Sequence, residues 1–346
     1  MKKTVVVGMS GGVDSSVSAL LLKQQGFKVI GMFMKNWEEG EECPAEKDYQ
    51  DVARVCDLLD IPYYSVNFSQ DYWDGVFTSF LADCKRGITP NPDVLCNREI
   101  KFKILLEKAL ELGGDYLATG HYCQIGEGPT LLRGKDSGKD QSYFLCSIAP
   151  KALLATLFPI GGMEKSSVRK LARKHNLATS EKKDSTGICF IGKRNFRQFL
   201  SKYIPARPGP FQTPEGKYVG EHIGLPFYTI GQRKGLAIGG AGQAWFVADK
   251  DVEKNVVTVV QGGSHPALFK TTLIADELNW ISPEPPFPFK CTAKVRYRQK
   301  DAPCTLEKIA GEKVLVTFDA PQKAVTPGQY IVFYSDDVCL GGGRIC

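Results

Sequence analysis

A run rich in glycine and serine near the N-terminus has the residue types that bind a phosphate chain. Residues 8–16 read Gly-Met-Ser-Gly-Gly-Val-Asp-Ser-Ser, directly after the apolar residues 4–7. Glycines let backbone N–H groups approach an anion closely, and the start of a helix adds unpaired donors and partial positive charge. The hydroxyls of Ser10, Ser15 and Ser16 can join them. The run therefore predicts a nucleotide phosphate site between a strand and a helix, with a tight turn without ligand as the alternative.

Two commoner phosphate-binding loops do not fit this run. It lacks the Gly-Lys-Ser/Thr ending of an ATPase P-loop, and the chain has no Gly-x-Gly-x-x-Gly of a dinucleotide site. The string Ser-Gly-Gly-Val-Asp-Ser instead resembles the pyrophosphate loop (PP-loop) of the ATP pyrophosphatase superfamily. That resemblance implies that ATP is cleaved between its α and β phosphates and that an adenylated intermediate forms.

A first thiol candidate, Cys96, follows the proline-rich segment 87–95. With Asn97 as the cap of a following helix, Cys96 is predicted just before a helix N-terminus and beside Arg98, and both features favour a thiolate. Asp93 could exchange a proton with that thiol or with a substrate nitrogen. A capped loop with a buried cysteine would satisfy the same sequence.

A second thiol candidate, Cys189, lies in a stretch of small residues with Lys182, Lys183, Lys193 and Arg194 around it. Such surroundings stabilise a thiolate or a persulfide anion. The chain has 11 cysteines and no Cys-x-x-Cys pair, which argues against a disulfide framework, a zinc ribbon and an iron–sulfur cluster.

Strands and helices alternate through the first third of the chain. Apolar runs at 28–34, 63–68 and 115–119 predict strands, whereas helical periodicity covers 47–60, 72–84 and 98–112. This alternation predicts an α/β domain with a doubly wound, mostly parallel sheet, in which ligands bind beyond the carboxyl ends of the strands. Met34, Gly120 and His121 fall at that edge, and His121 is predicted to be accessible.

The length of 346 residues predicts two or three domains. We expect a catalytic domain at 1–204, a small central domain at 205–268 that begins with a Pro- and Gly-rich linker at 205–216, and a C-terminal β-barrel at 269–346. No apolar run is long enough to span a bilayer, and the chain enters its first strand directly. We therefore expect a cytoplasmic protein without membrane association.

Positive charge is concentrated in two segments, although the net charge is only +6. Residues 165–202 hold eleven lysines and arginines against Glu181 and Asp184. Residues 290–300 alternate cations with apolar residues, which predicts one strand with its cations on one face. A dense basic face attracts a polyanion such as a nucleic acid, although a solvated polar surface is the alternative.

These motifs, taken together, resemble those of the bacterial tRNA-specific 2-thiouridylases, in the same order and over essentially the whole chain. They are SGGVDS at 10–15, GMFMKNW at 31–37, NPDVLCN at 91–97, ATGHY at 118–122, KDQSYF at 139–144, DSTGICF at 184–190 and GQRKG at 231–235. The resemblance implies a monomeric enzyme that thiolates the wobble uridine of tRNAs for Lys, Glu and Gln. It also implies Mg²⁺ with the ATP, Asp14 as a participant, and sulfur supplied as a persulfide by a cysteine desulfurase through carrier proteins.

The resemblance further implies a role for individual residues. The ATP-binding residues would be Gly8, Met9, Ser10, Gly11, Gly12, Val13, Asp14, Ser15, Met34 and Gly120. The flipped-out base would meet Asn91, Pro92 and Asp93, with Asp93 as the acid/base. Cys189 would carry the persulfide, Cys96 would be the nucleophile, and the two would form a transient disulfide. The tRNA would touch His121, Lys139, Asp140, Gln141, Arg296, Tyr297 and Gln329.

The implied chemistry solves a leaving-group problem, because the C2 oxygen of uracil departs poorly until it is adenylated. Either a persulfide on Cys189 attacks C2 and Cys96 then attacks the bridging sulfur, or Cys96 first releases hydrosulfide, which attacks C2. Two other functions stay open on the residues alone. One is a PP-loop synthetase or amidotransferase that acts on a small metabolite, and the other is an RNA-binding protein that senses ATP without cleaving it.

Overall fold

The computed structural model describes residues 2–37, 44–184 and 195–346. The strands before residue 160 are β1 (Thr4–Met9), β2 (Lys28–Lys35), β3 (Tyr63–Asn67), β4 (Tyr116–Ala118), β5 (Cys123–Ile125), β6 (Leu131–Arg133) and β7 (Thr156–Leu157). Five of them form a parallel sheet in the order β3-β2-β1-β4-β7. The predicted parallel sheet is thereby confirmed, with β1 at its centre.

Helices cover both faces of this sheet. They are α1 (Val13–Gln24), α2 (Pro44–Leu58), α3 (69–85), α4 (92–111), α5 (Pro150–Leu153), α6 (Lys165–Lys174) and α7 (Phe196–Leu200). Val6 of β1 lies in one buried cluster, whereas Val5 and Val7 lie in another. Because successive side chains of a strand point to opposite faces, each face has its own core and the sheet is doubly wound.

Two of the helices contain a π-helical part. Helix α3 is built from Ser69–Tyr72, the π-helical Trp73–Phe77 and Thr78–Lys85. Helix α4 is built from Pro92–Leu95, the π-helical Cys96–Leu105 and Leu106–Glu111. Stretches of π-helix occur frequently at functional sites, and the one in α4 begins at Cys96.

A four-stranded sheet follows in the order β10-β11-β8-β9. Its strands are β8 (Gly209–Gln212), β9 (Tyr218–His222), β10 (Trp245–Asp251) and β11 (Val256–Gln261). The prediction of a linker at 205–216 is wrong for its middle, which forms β8. Proline is tolerated there because β11 pairs only with Phe211 and Gln212, so the missing N–H of Pro210 is not required for that ladder.

The C-terminal strands close into a barrel. They are β12 (Phe269–Trp280), β13 (Phe289–Lys294), β14 (Ala302–Ile309), β15 (Lys313–Lys323), β16 (Tyr330–Ser335) and β17 (Val338–Ile345). Their order is β12-β15-β14-β13-β16-β17, and pairing of β12 with β17 completes the circle, which confirms the predicted barrel. Strand β17 also pairs with β6, so the first domain adds strands to the barrel wall. None of the helices in the described ranges is long and apolar enough to cross a membrane.

Candidate functional site

The predicted phosphate loop lies between β1 and α1, at the carboxyl edge of the parallel sheet. Gly11 has a φ of +70°, and a Cβ there would come within 2.6 Å of the carbonyl oxygen of Asp48, so both the backbone conformation and the space require glycine. Gly12 precedes the helix, and no side chain of the described residues caps that end. The first backbone N–H groups of α1 are therefore available to an anion.

The three serines of the loop have different roles. Ser10 is exposed, whereas Ser15 and Ser16 are buried and donate their hydroxyls to the carbonyl oxygen of Gly12, at 3.2 and 2.8 Å. Ser15 Oγ also accepts a hydrogen bond from the backbone N–H of Ser10, at 3.2 Å. Ser10 is thus the serine that faces solvent, and the other two fold the loop.

Asp14, in the first turn of α1, is held by Lys165, which lies outside the quoted motifs, and by Tyr122, the last residue of the motif at 118–122. Lys165 Nζ donates to both carboxylate oxygens of Asp14 at 2.7 Å, and the hydroxyl of Tyr122 donates to Oδ1 at 2.7 Å. Lys165 is buried. A divalent cation at Asp14 would therefore have to compete with the Lys165 ammonium, and no cluster of three or more His, Cys, Asp or Glu side chains suited to a metal occurs in the described ranges.

Asp184 is the centre of a larger ion-pair network. Its carboxylate contacts Lys139 at 2.6 Å, Lys165 at 2.9 Å and Arg169 at 2.8 Å. Burial alone would raise the pKa of Asp184, but the hydrogen bonds from Lys139 and Lys165 outweigh it and hold the pKa at about 2. Through Lys165 this network reaches Asp14 of the phosphate loop. Cys189, the predicted persulfide carrier, lies outside the described residues.

A sequence signal for Lys165 exists. Lys165 is the first residue of α6, where a cation is disfavoured by the partial positive charge of the helix N-terminus. A lysine in that position indicates a specific anionic partner, and the structure supplies two in Asp14 and Asp184.

Two other predicted ATP residues lie at the same edge of the sheet. Met34 is the next-to-last residue of β2, is partly buried, and pairs with Val66 of β3. Gly120 follows β4, and a Cβ there would come within 2.7 Å of the backbone nitrogen of Ser15. Gly120 therefore lets the chain after β4 pack directly against the start of α1.

The prediction that His121 is accessible is wrong. His121 is only 8% exposed, and its ring packs between Phe102 and Phe158. Its Nδ1 shares a hydrogen bond of 2.8 Å with the hydroxyl of Thr119. Burial lowers the pKa of His121 well below its usual value, with a further contribution from Lys101, so the ring is neutral at pH 7.

The segment predicted to meet the base forms the start of α4. The helix begins at Pro92, and the Asn91 side chain caps it by accepting from the backbone N–H of Val94 at 3.4 Å. The predicted cap at Asn97 is therefore wrong, since its amide donates instead to the carbonyl of Phe144 at 3.1 Å. Asp93 is partly exposed in the first turn.

Cys96 consequently lies one turn inside the helix rather than before it. It is 2% exposed, so its thiol has almost no access to solvent in this structure. Arg98, predicted to lie beside Cys96, donates its Nε to Glu99 at 2.7 Å. Residues two apart on a helix point in different directions.

Asp140 and Gln141, predicted to touch tRNA, are engaged within the protein. The buried carboxylate of Asp140 accepts from the backbone N–H groups of Gly134 and Ser142, at 3.0 and 3.1 Å. Gln141 Oε1 accepts from the backbone N–H of Tyr122 at 3.0 Å. These contacts fix the Lys139 segment beside the phosphate loop.

The predicted basic strand at 290–300 is only partly formed. Strand β13 ends at Lys294, and the chain turns back at Arg296 to Lys300, so the cations do not share one face. The Arg296 guanidinium donates to the carbonyl oxygens of Ile230 and Ala324, at 2.8 and 2.9 Å. Tertiary contacts explain why the predicted strand ends early, because these two acceptors lie between β9 and β10 and directly after β15.

Tyr297 and Gln329 also make internal contacts. The Tyr297 ring packs on Phe144, with centroids 4.4 Å apart, and burial raises its pKa to about 12. The Gln329 amide donates to the carbonyl oxygens of Thr89 and Pro90, at 2.8 and 3.1 Å. The structure thus brings the phosphate loop, the Lys139 segment and the start of α4 together, and the barrel reaches the latter two.

Comparison with known proteins covers every part of the chain. Residues 3–193 match the family described as tRNA methyl transferase HUP domain, residues 197–261 match the tRNA methyl transferase PRC-barrel domain, and residues 270–345 match the aminomethyltransferase beta-barrel domain.

The names of full-length relatives specify a reaction more closely than the domain descriptions do. The tRNA-specific 2-thiouridylase MnmA of Protochlamydia amoebophila is 61% identical and is covered over 93% of its length by 99% of this chain. The proteins of the same name from Alkaliphilus oremlandii and Geobacillus thermodenitrificans are 57% and 56% identical, again over 99% of this chain and over 96% and 94% of theirs. At this identity over the full length, the chain belongs to the tRNA-specific 2-thiouridylase family, as its motif series predicts.

Proposed function

We propose that this protein replaces the C2 oxygen of a tRNA uridine by sulfur, consuming ATP and releasing AMP and pyrophosphate. The observation that carries the proposal is the glycine-rich loop at the carboxyl end of β1, with free helix N–H groups, in a chain that matches 2-thiouridylases from end to end. The finer form of the proposal names the wobble uridine of tRNAs for Lys, Glu and Gln as the target. Mg²⁺ would accompany the ATP phosphates.

Activation of the base comes first. The uracil C2 oxygen attacks the α-phosphorus of ATP, the bond between the α-phosphorus and the bridging oxygen breaks, and pyrophosphate leaves. The N–H groups at the start of α1 stabilise the departing negative charge. Lys165 pairs with Asp14 of this loop, and Lys139 pairs with Asp184, which also contacts Lys165. Both ammonium groups can therefore help to stabilise the negative charge of the departing pyrophosphate.

Sulfur transfer then uses two cysteines. The terminal sulfur of a Cys189 persulfide attacks C2, and AMP departs with the former C2 oxygen. The Cys96 thiolate attacks Cys189 Sγ, which forms a Cys96–Cys189 disulfide and leaves the second sulfur on the uracil as a thiocarbonyl. In the alternative order Cys96 attacks first, and the released hydrosulfide attacks C2. Asp93 is the proton carrier, and a thiol reductant resets the disulfide.

Recognition of RNA is assigned to the surfaces around this site. Asn91, Pro92 and Asp93 are proposed to meet a base that is flipped out of the anticodon loop, a form in which single-stranded RNA is commonly read. Exposed cations such as Lys170, Lys183 and Arg298 would contact phosphates. Sulfur would reach Cys189 from a cysteine desulfurase through a persulfide carrier protein.

One incubation tests the proposal. Purified protein is mixed with ATP, Mg²⁺, sulfide and unmodified tRNA, and both pyrophosphate and modified nucleosides are measured, the latter by mass spectrometry. We expect pyrophosphate release and a uridine with sulfur in place of oxygen, both dependent on the wobble uridine. A methylated nucleoside would instead support the transferase chemistry named in the matching domain families. Pyrophosphate without any change to tRNA would indicate a small-molecule acceptor.

Two cysteine variants assign the sulfur path. Cys189→Ala is expected to abolish thiolation from a persulfide donor while tRNA affinity stays nearly unchanged. Cys346→Ala is the matched control, because Cys346 is an exposed cysteine directly after β17 and has no role in the proposed sulfur transfer. Full activity of Cys189→Ala with a persulfide donor would overturn the assignment.

A further inference from the structure

The segment in front of the proposed base-binding residues is held by all three domains. Residues 83–91 comprise the end of α3 and its connection to α4, and the backbone hydrogen bonds described for them within their own domain are local turns, with Gly87 N and Ile88 N donating to carbonyls of α3 at 2.9 and 3.0 Å. Every longer-range contact described below comes from the central sheet or from the barrel. The position of Asn91 is therefore not determined by the catalytic domain alone.

The central domain contacts this segment from one side. Lys250 of β10 donates to the Tyr228 carbonyl at 3.0 Å and reaches the Thr89 hydroxyl at 3.4 Å. Gly87 has a φ of +72°, and a Cβ there would come within 2.9 Å of Val252 Cγ2. The central sheet thus packs against the segment too closely for a side chain at position 87.

The barrel contacts the segment from the other side. Arg344 of β17 pairs with the buried carboxylate of Asp83 at 2.7 Å. The backbone N–H of Thr89 donates to the carbonyl of Pro327 at 3.3 Å, and a Cβ at Gly328 would clash with Ile88. The barrel loop 326–329 is therefore seated directly on residues 88–90.

Gln329 makes the contact closest to Asn91. Its Nε2 lies 2.8 Å from the carbonyl oxygen of Thr89 and 3.1 Å from that of Pro90. Since both neighbours are acceptors, the amide must present its NH₂ group, and both of its N–H donors are used. The Gln329 backbone is itself fixed, because it accepts from Ile345 N at 2.8 Å. Pro90 is followed immediately by Asn91, the cap of α4.

We propose that Gln329 is a positioning residue that holds the Thr89–Pro90 backbone, and through it Asn91 to Asp93, in the geometry that the base requires. The inference rests on the proposed function for its consequence in catalysis. It assigns to Gln329 an effect on the rate of the reaction rather than on the affinity for RNA. It also makes the barrel part of the active-site scaffold as well as an RNA-binding module.

Hydrogen exchange tests the positioning without any substrate. In Gln329→Ala, backbone amides of residues 88–95 are expected to exchange roughly tenfold faster than in the wild type, as follows from losing hydrogen bonds to two partly buried carbonyls. Gln329→Glu keeps the shape, lacks the donors, and is expected to behave like the alanine variant. Gln25→Ala, at an exposed glutamine after α1, is the control and should change nothing in this segment.

Single-turnover kinetics test the consequence. At saturating tRNA, the rate of thiouridine formation in Gln329→Ala is expected to fall roughly tenfold, the same factor as the expected change in hydrogen exchange. The Kd for tRNA is expected to stay within about twofold of the wild-type value. A raised Kd with unchanged exchange would overturn the proposal and make Gln329 a direct RNA contact. Faster exchange with an unchanged rate would overturn it as well. If the wild type thiolates no tRNA, the proposed function fails, whereas the exchange result still decides whether Gln329 holds the segment.

Discussion

The two basic segments of the sequence, 165–202, of which the structure describes 165–184 and 195–202, and 290–300, use their cations differently. In the first, inward-facing cations hold carboxylates: Lys165 and Arg169 share Asp184, and Lys182 bridges Asp48 and Asp51. In the second, Lys294 also reaches a carboxylate, that of Asp301 at 3.6 Å, whereas Arg296 holds neutral backbone carbonyls. A cation paired with a carboxylate contributes little net field, whereas one bonded to carbonyls keeps its charge but cannot move to a phosphate.

This difference shows why a count of cations overstates the charge available to RNA. In both segments the buried and partly buried cations are fixed by internal partners, and only the exposed ones, among them Lys170, Lys183 and Arg298, face solvent. A lysine that already holds carboxylates beside the phosphate loop is placed to interact with an incoming phosphate as well, so the first segment is suited to respond to ATP. The second segment is suited to hold a shape.

The largest effect is expected from Lys165→Met. Removing the ammonium leaves Asp14 and Asp184 without a shared cation next to the phosphate loop. We expect pyrophosphate release to fall roughly 100-fold, as when one preorganised electrostatic group is lost from an active site. The tRNA affinity should change little, because Lys165 is buried. Rates of pyrophosphate release and tRNA binding isotherms measure the two quantities.

Lys174→Met is the matched control, since Lys174 is exposed at the end of the same helix. It should leave pyrophosphate release unchanged at saturating tRNA. Equal losses in both variants would show that α6 acts through its overall charge, and the distinction between paired and exposed cations would be lost for this segment.

A smaller effect, on stability, is expected from Arg296→Met. The carbonyls of Ile230 and Ala324 and the hydroxyl of Thr326 lose a charged donor at the junction of barrel and central domain. Hydrogen bonds to charged groups contribute about 1.5–3 kcal/mol, so we expect the free energy of unfolding to fall by about 2 kcal/mol. Urea denaturation measures it. A variant as stable as the wild type that binds tRNA more weakly would make Arg296 an RNA contact instead.

The phosphate loop and the parallel sheet were predictable because their signals are local. The β-branched run at 4–7, the glycines at 11 and 12 and the helical spacing after them each report on neighbours within a few residues. The closed barrel followed from short strands in the same way. Lys165 could have been found too, because a lysine at a helix start conflicts with the helix dipole.

The rest of the site depends on contacts between distant parts of the chain. Gln329 and Thr89 are 240 positions apart, and no local pattern connects them. The alternation at 290–300 predicted a strand, but the acceptors for Arg296 lie on other elements and the chain turns to meet them. For α4 the signals conflicted locally: Asn91-Pro92 and Asn97 are both acceptable starts, and the contact of Asn97 with Phe144 decides for the earlier one.

Lys250 is a third kind of cation, because its burial makes its contribution to stability depend on pH. Lys250 lies between domains with mainly uncharged partners, and burial lowers its pKa to about 8, against smaller opposing effects of Cys84 and Asp249. Between pH 8 and the ordinary value of 10.5, the unfolded chain binds a proton there that the folded chain does not. The Lys250 contribution to stability is therefore unfavourable below pH 8 and is relieved as the pH rises towards 10.5.

Lys250→Met isolates that contribution. The shift corresponds to at most about 3 kcal/mol, from which the lost hydrogen bonds to Tyr228 and Thr89 subtract about 1 kcal/mol each. We expect the variant to be more stable than the wild type by about 1 kcal/mol at pH 7, with the advantage shrinking between pH 8 and 10. Urea unfolding of both proteins across this range gives the difference. An advantage that grows with pH would contradict the assignment.

The smallest effect is expected from Arg298→Ala, and it decides whether the barrel touches the phosphate backbone. Arg298 is exposed, two residues after Arg296, with its guanidinium 5.9 Å from the Tyr297 ring. Because no buried group depends on it, we expect stability to change by less than about 0.5 kcal/mol. Each phosphate contact contributes roughly 0.7–0.9 to the slope of log K against log salt, so tRNA binding should weaken a few-fold with the slope reduced by about that amount.

Binding titrations at several salt concentrations measure this slope, and Arg296→Met run alongside should keep the wild-type slope. If the slope follows Arg296 and not Arg298, the partly buried guanidinium of Arg296 is the one that meets RNA, and the barrel must open at its junction with the central domain to bind its substrate.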